Sequence, residues 1–227
     1  MQRHFDEDLA KLKTDILSMA ALVDASILDA VEALKDLDAS RARQVIASDR
    51  RIDEMELMIE EHSLSLLAQQ QPMANDLRFI TMAMNITTDL ERMADLAVDI
   101  AQRVLEMSDK PLLKPLIDIP QLATVAQTMI KDVIEAFVNR DEALARKVIL
   151  FDSQADQLRN AVQRELINDY MIKDPQTVSR AVPLLLIARH LERICDHATN
   201  IAEDVIYMVG AEVVKHHPER LQGKAEE

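Results

Sequence analysis

Four pairs of acidic side chains stand four residues apart in this 227-residue chain: Asp49 and Asp53, Glu91 and Asp95, Asp152 and Asp156, Glu192 and Asp196. On a helix, residues i and i+4 share a face with their Cβ atoms about 5–6 Å apart, and like charges there repel. Carboxylate oxygens gathered in this way suit magnesium, manganese and iron, and zinc with help from another donor. Glu91 lies seven residues after Met84 and seven before Val98, at the border of an apolar stripe. If adjacent helices present their pairs to each other, four carboxylates converge at each place. A bound metal removes the repulsion; without one, such carboxylates hold their protons to unusually high pH. In a chain that is 29% charged, acidic pairs also fall on solvated faces, and that reading stands beside the first.

The pairs recur in register. The segment from Leu90 to Asp95 (LERMAD) returns as Leu191 to Asp196 (LERICD), 101 residues later. At an offset of 103, Asp29 aligns with Asp132, Glu32 with Glu135, Asp38 with Asp141, Asp49 with Asp152, Asp53 with Asp156, and Pro72 with Pro175. One alignment with a two-residue gap therefore relates the two halves. A period of this length is too long for a solenoid and fits a three-helix unit used twice.

The elements that position the acids are helices. Residues 5–37 carry an apolar stripe at Phe5, Leu9, Leu12, Ile16, Met19, Val23, Ile27, Val31 and Leu34, always three or four apart. Asp38 is placed to cap a second helix over 39–70. Pro72 opens a third to about 108. The pattern restarts with helices over 121–139, 142–170 behind Asp141, and 176–213 behind Pro175, with a kink expected near Pro183. The expected fold is all-α, a tandem of three-helix bundles over 1–110 and 121–215, with a proline-containing linker at 111–120 and a polar tail at 216–227.

Composition agrees. The chain is 48% apolar with two glycines, no tryptophan, 12 methionines and 3% aromatic residues, as long packed helices require. A net charge of −14 makes nucleic acid a poor partner and favours cations or a basic surface. Cys195 is the sole cysteine, which fits a reducing cytoplasm, and it is expected to be a small packed residue. The N-terminus has acids where a signal peptide has an apolar core. The longest apolar run, 181–188, is far short of the ~20 residues of a membrane helix, so no direct membrane insertion is expected.

Other residues have plainer readings. Arg92 and Arg193 follow the glutamates and suit structural salt bridges or a partner contact. His197 is a candidate ligand, cap or surface group. Met55, Met58, Met73, Met82, Met84 and Met93 read as core filling. His216 and His217 read as incidental. No Gly-rich phosphate loop, GxSxG or HExxH motif is present, and no histidine follows a glutamate by three residues. The Glu-x-x-His ligand set of ferritin-like di-iron enzymes is thus missing, and no nucleophile–base pair is visible.

The duplicated unit, the DxxxD pairs, and the segments DLERMADLAVDIA and HLERICDHATNIAEDV together resemble the PhoU family across nearly the whole chain. The resemblance implies a non-enzymatic, cytoplasmic negative regulator of phosphate uptake and of the phosphate-starvation response. It implies partners: the ATPase subunit of the phosphate ABC transporter, the sensor histidine kinase, and a second copy of the chain. It further implies iron or zinc held by the four acidic pairs, with Asp99 and Asn200 added one turn further on. Arg193-x-x-Asp196-His197-Ala198-x-Asn200 carries the family signature in the second half, whereas the first has Leu96 and Asp99 instead. The better-formed metal site is therefore expected in the second half. A carboxylate-bridged metalloenzyme and a metal-free helical scaffold are the competing readings.

Overall fold

A computed structural model describes residues 2–215. Six α-helices make up the fold: α1 (Gln2–Asp36), α2 (Ala39–Gln70), α3 (Ala74–Met107), α4 (Asp118–Asn139), α5 (Glu142–Glu165) and α6 (Val178–Gly210). A π-turn (Leu166–Met171) extends α5, and a 3-10 turn (Pro175–Thr177) leads into α6. No strand occurs among the described residues. No helix among them is long and apolar enough to cross a membrane. His216 and His217 lie outside the described residues.

The predicted stops and starts hold where a side chain enforces them. Asp38 Oδ1 accepts from the backbone N–H of Ser40 (2.8 Å) and Arg41 (3.0 Å), capping α2. Its counterpart Asp141 accepts from the N–H of Leu144 at 2.9 Å, capping α5. The residue before each cap is left-handed, Leu37 at φ 48° and Arg140 at φ 54°. The N–H of Asp38 reaches back to the Ala33 carbonyl, and that of Asp141 to the Ala136 carbonyl, both at 2.9 Å. This C-terminal closure normally uses glycine. Here both halves bear the strain of a side chain in that region, where no glycine signalled the stop.

Three boundaries shift. Pro72 does not open α3; Gln71 turns left-handed and the helix begins at Ala74 behind Met73. Pro175 opens the short 3-10 turn, capped by Asp174, and not α6 itself. Pro120 belongs to the first turn of α4, where its missing N–H has no acceptor to lose, so the connection spans 108–117. Pro183 lies inside α6, which runs on through it.

Two- and three-residue connections force antiparallel neighbours within each half. α1 packs on α2 and α3; α4 packs on α5 and α6. The halves are also joined to each other, most extensively by α3 against α6, then by α1 against α4. One continuous core results, from Leu12 and Ile16 in α1 to Ile201 and Val205 in α6. Each such side chain, fully buried, contributes roughly 1.5–3 kcal/mol against the entropy of ordering it. Phe79 of α3 stacks on Phe137 of α4 at 5.3 Å between centroids, with the Arg140 guanidinium over Phe79.

The methionine stripe is only partly core. Met93 is buried and Met55 and Met82 pack against the core, but Met58 is exposed and Met73 is 80% exposed. Met73 stands at the N-cap position of α3 without a side-chain capping bond, instead of filling space. Cys195 is fully buried within α6, as expected of a packed residue.

The repeat appears as a pseudo-twofold. Gln127 on α4 donates to Asp24 on α1 at 3.2 Å, and these two residues are equivalents in the alignment. Across α3 and α6, Asp99 faces His190 while Asp89 faces Asn200; each pair is the image of the other.

Candidate functional site

Each half brings its two acidic pairs together between its second and third helices. In the first half, burial and then the charges of Asp53 and Asp95 push the Asp49 carboxyl up to about 6. Burial and then Asp95, reinforced by Glu56 and Asp53 and opposed by Arg92, push Glu91 up to about 7. In the second half, burial, then Asp196, Asp156 and Glu192, push Asp152 up to about 6. Asp196 is raised by burial, Glu192 and Asp156, and held back by His197 and Arg193. These carboxylates therefore sense one another across the helix pair. Helical spacing puts Asp49 with Asp53, and Glu91 with Asp95, on facing surfaces while the apolar residues between them fill the core.

Asp99 and Asn200 are not part of these clusters. Each lies eight residues beyond its glutamate, a rotation of about 80° around the helix at 100° per residue. Asp99 Oδ2 stands 3.7 Å from His190 Nδ1, and Asn200 donates to Asp89 at 3.3 Å. Both belong to the seam between α3 and α6. His197 joins that seam as well, with Nδ1 2.7 Å from Asp89 Oδ1, so it is neither a helix cap nor a member of the carboxylate cluster. Sequence reasoning missed Asp204 nearby, whose carboxyl burial and Asp89 push up to about 6 against a hydrogen bond from Asn85. Burial holds the His190 imidazole below its ordinary range despite Asp99.

The two clusters differ in how their charge is answered. In the second half, Arg159 Nη2 lies 3.0 Å from Glu192 Oε1 and 3.4 Å from Asp156 Oδ1. A guanidinium thus occupies the space between the helices where a metal would have to sit. The aligned residue in the first half is Glu56, a further acid, whose own carboxyl is raised by burial, Glu60 and Asp53. There Asp49 Oδ1 and Glu91 Oε2 are both buried without a hydrogen-bond partner. Arg92 Nε stands 3.3 Å from the same Glu91 oxygen without making a hydrogen bond, and its Nη1 lies 3.2 Å from Asp95. Arg92 is thus the structural pairing expected of it, whereas Arg193 makes no ion pair among the described residues.

The donor set that fits a divalent cation is therefore Asp49, Asp53, Glu91 and Asp95, backed by Glu56. Its chemistry suits a hard or borderline ion, and two of its buried oxygens, Asp49 Oδ1 and Glu91 Oε2, accept no hydrogen bond. Among the described residues no three His, Cys, Asp or Glu side chains are gathered as a finished ligand set. In the second half Arg159 has to leave before a cation fits. The signature around Asp196 led the better-formed metal site to be expected in the second half, where Arg159 of the preceding helix already pairs with two of the acids.

Sequence and structure comparisons place the chain in a family. The PhoU domain profile matches residues 16–104 and 119–205, one stretch in each half. A phosphate-specific transport system accessory protein PhoU homolog of Aquifex aeolicus is 38% identical over 96% of this chain and 98% of its own length. That of Pseudomonas aeruginosa is 35% identical over 95% of this chain and 89% of its own. The crystal structure of PhoU from P. aeruginosa superposes with a TM-score of 0.87, covering 92% of this chain and all of the other, at 35% identity. The phosphate transport system regulatory protein PhoU from Streptococcus pneumoniae gives 0.86 over 92% and 99%, at 31% identity. With both repeats matched, the fold shared and the acidic pairs set in each half, the chain belongs to the PhoU domain family.

Proposed function

We propose that this protein is an accessory regulator of phosphate transport. The observation that carries the reading is its end-to-end likeness to a phosphate-specific transport system accessory protein, at 38% identity over nearly all of both chains. In this reading it works in the cytoplasm as a non-enzymatic adaptor and homodimer. Its helical faces dock on the ATPase subunit of the phosphate ABC transporter and on the sensor histidine kinase, holding both in check when phosphate is plentiful. The clusters between its helices are built of carboxylates and arginines, which bind and orient but offer no activated nucleophile.

The first-half cluster supplies the cation site of the adaptor. Asp49, Asp53, Glu91 and Asp95 hold a divalent ion such as manganese, magnesium, iron or zinc, which neutralises the facing carboxylates and ties α2 to α3. The support for this is the pair of buried oxygens on Asp49 and Glu91 that accept no hydrogen bond.

Deleting the gene tests the regulatory reading. A phosphate-starvation reporter should become constitutive in phosphate-rich medium, and complementation should restore repression. A deletion strain that represses the reporter normally overturns the reading.

A further inference from the structure

The groove between α5 and α6 departs from its counterpart in the first half in two respects at one place. Its wall changes sign. Where the first half presents Glu56, Glu60 and Thr88, the second presents Arg159, Gln163 and Arg189, and all three of the latter line the groove. Arg193 joins them, beside Glu192 and Asp196, whose acids both halves share. The first wall is strongly negative and the second is net positive, in a chain of net charge −14.

The backbone changes too. α5 passes into the π-turn Leu166–Met171, and Ile167 of that turn lines the groove. α2 stays α-helical through the matching stretch, 63–68. π-Helical turns are rare and frequently fall at functional sites.

Two of the three arginines are not consumed by the fold. Arg159 is held by Glu192 and Asp156. Arg189 and Arg193 are exposed, stand one turn apart on α6, and make no ion pair among the described residues. Two guanidinium forks on one helix face offer two pairs of parallel donors. A carboxylate has two oxygens to meet them; a tetrahedral phosphate has four. Glu192 and Asp196 weaken the pull of the arginines, but the wall stays net positive, and the attraction it exerts grows with the charge of the anion. The open volume of about 600 Å³ leaves room for a phosphate alone or for one carried on a larger body.

We propose that the α5–α6 groove binds a phosphate-type oxyanion, free or as the phosphoryl group of a larger molecule, gripped by Arg189 and Arg193 with Arg159 behind them. This goes beyond the regulatory reading and beyond the first-half cation site, and does not depend on either.

Calorimetric titration of the full-length, EDTA-treated protein tests it, with inorganic phosphate and with tripolyphosphate at fixed ionic strength. Metal-free protein is used so that phosphate cannot bind through a metal. Saturable binding is expected, weakened at least tenfold in R189Q/R193Q. R43Q/R51Q, which removes the same charge from the exposed face of α2, should bind as the parent does. Circular dichroism checks that each variant is folded, and R189K/R193K should retain part of the binding. Binding of inorganic phosphate marks the free ion as a ligand, whereas binding of tripolyphosphate alone marks a phosphoryl group on a larger molecule. No saturable heat with either probe, an equal response to sodium chloride, or an equal loss in R43Q/R51Q overturns the proposal.

Discussion

Arg159 and Glu56 occupy equivalent places in the two halves and carry opposite charge. Arg159 sits 3.0 Å from Glu192, while Glu56 adds its charge to that already raising Glu91. The second half therefore draws a counter-cation from its facing helix, whereas the first has only Arg92, on the same helix as Glu91 and Asp95.

Stability of the metal-free protein should fall as pH rises from about 5 to 7.5. Asp49, Glu91 and Asp152 bind protons more tightly folded than unfolded, with carboxyls pushed up to about 6, 7 and 6. Between the unfolded and folded values the native state holds the extra protons, so raising pH drains stability. The effect is on the order of 1–2 kcal/mol per group after solvent screening. Thermal melts across this range check it. Glu91→Gln should flatten the slope, and a melting point that climbs with pH would contradict the assignment.

Divalent cations should raise the melting point of the EDTA-treated protein at pH 7.5. With manganese as the probe, Asp49→Asn combined with Glu91→Gln should abolish most of the rise. Asp152→Asn combined with Glu192→Gln should leave most of it. The reverse ranking would return the cation site to the second half.

Exchanging the two equivalent residues should exchange the behaviours. Glu56→Arg places a guanidinium against Glu91 and should stabilise the metal-free protein by on the order of 1 kcal/mol while blunting its response to manganese. Arg159→Gln leaves Glu192 without its charged partner and should cost about 1–2 kcal/mol. Chemical denaturation of each variant measures both; destabilisation by Glu56→Arg would count against the proposed geometry.

The halves should unfold together. Phe137 is fully buried and stacks on Phe79 from the other half. Phe137→Ala should cost about 3–5 kcal/mol, seen as one cooperative transition shifted to lower denaturant. Two separate transitions would show that the shared core does not couple the halves.

Much of this was legible in the sequence, for reasons that can be named. Apolar stripes such as Leu12 to Leu34 leave no alternative to long helices, and Asp38 and Asp141 fix where two of them begin. The acidic pairs converge because i+4 spacing is rigid. What escaped depended on angle or on difference. Asp99 and Asn200 looked like continuations of the clusters, yet eight residues carry them around to the α3–α6 seam. Leu37 and Arg140 end helices in a backbone state that glycine usually advertises. The Glu56–Arg159 exchange was present in the aligned sequence all along. A search for repeated identities passes over it, because it is where the copies disagree.

The hydrogen bond between Gln127 and Asp24 points to the history of the fold. These two residues are copies of each other and meet at the pseudo-axis. A single-repeat ancestor dimerising through the same seam would set each such residue against itself, aspartate against aspartate or glutamine against glutamine. Joining two copies in one gene lifted that requirement of self-compatibility. Each half became free to mutate without its twin mutating too, and a symmetric pair of identical clefts could become an acidic one and a basic one within a single chain.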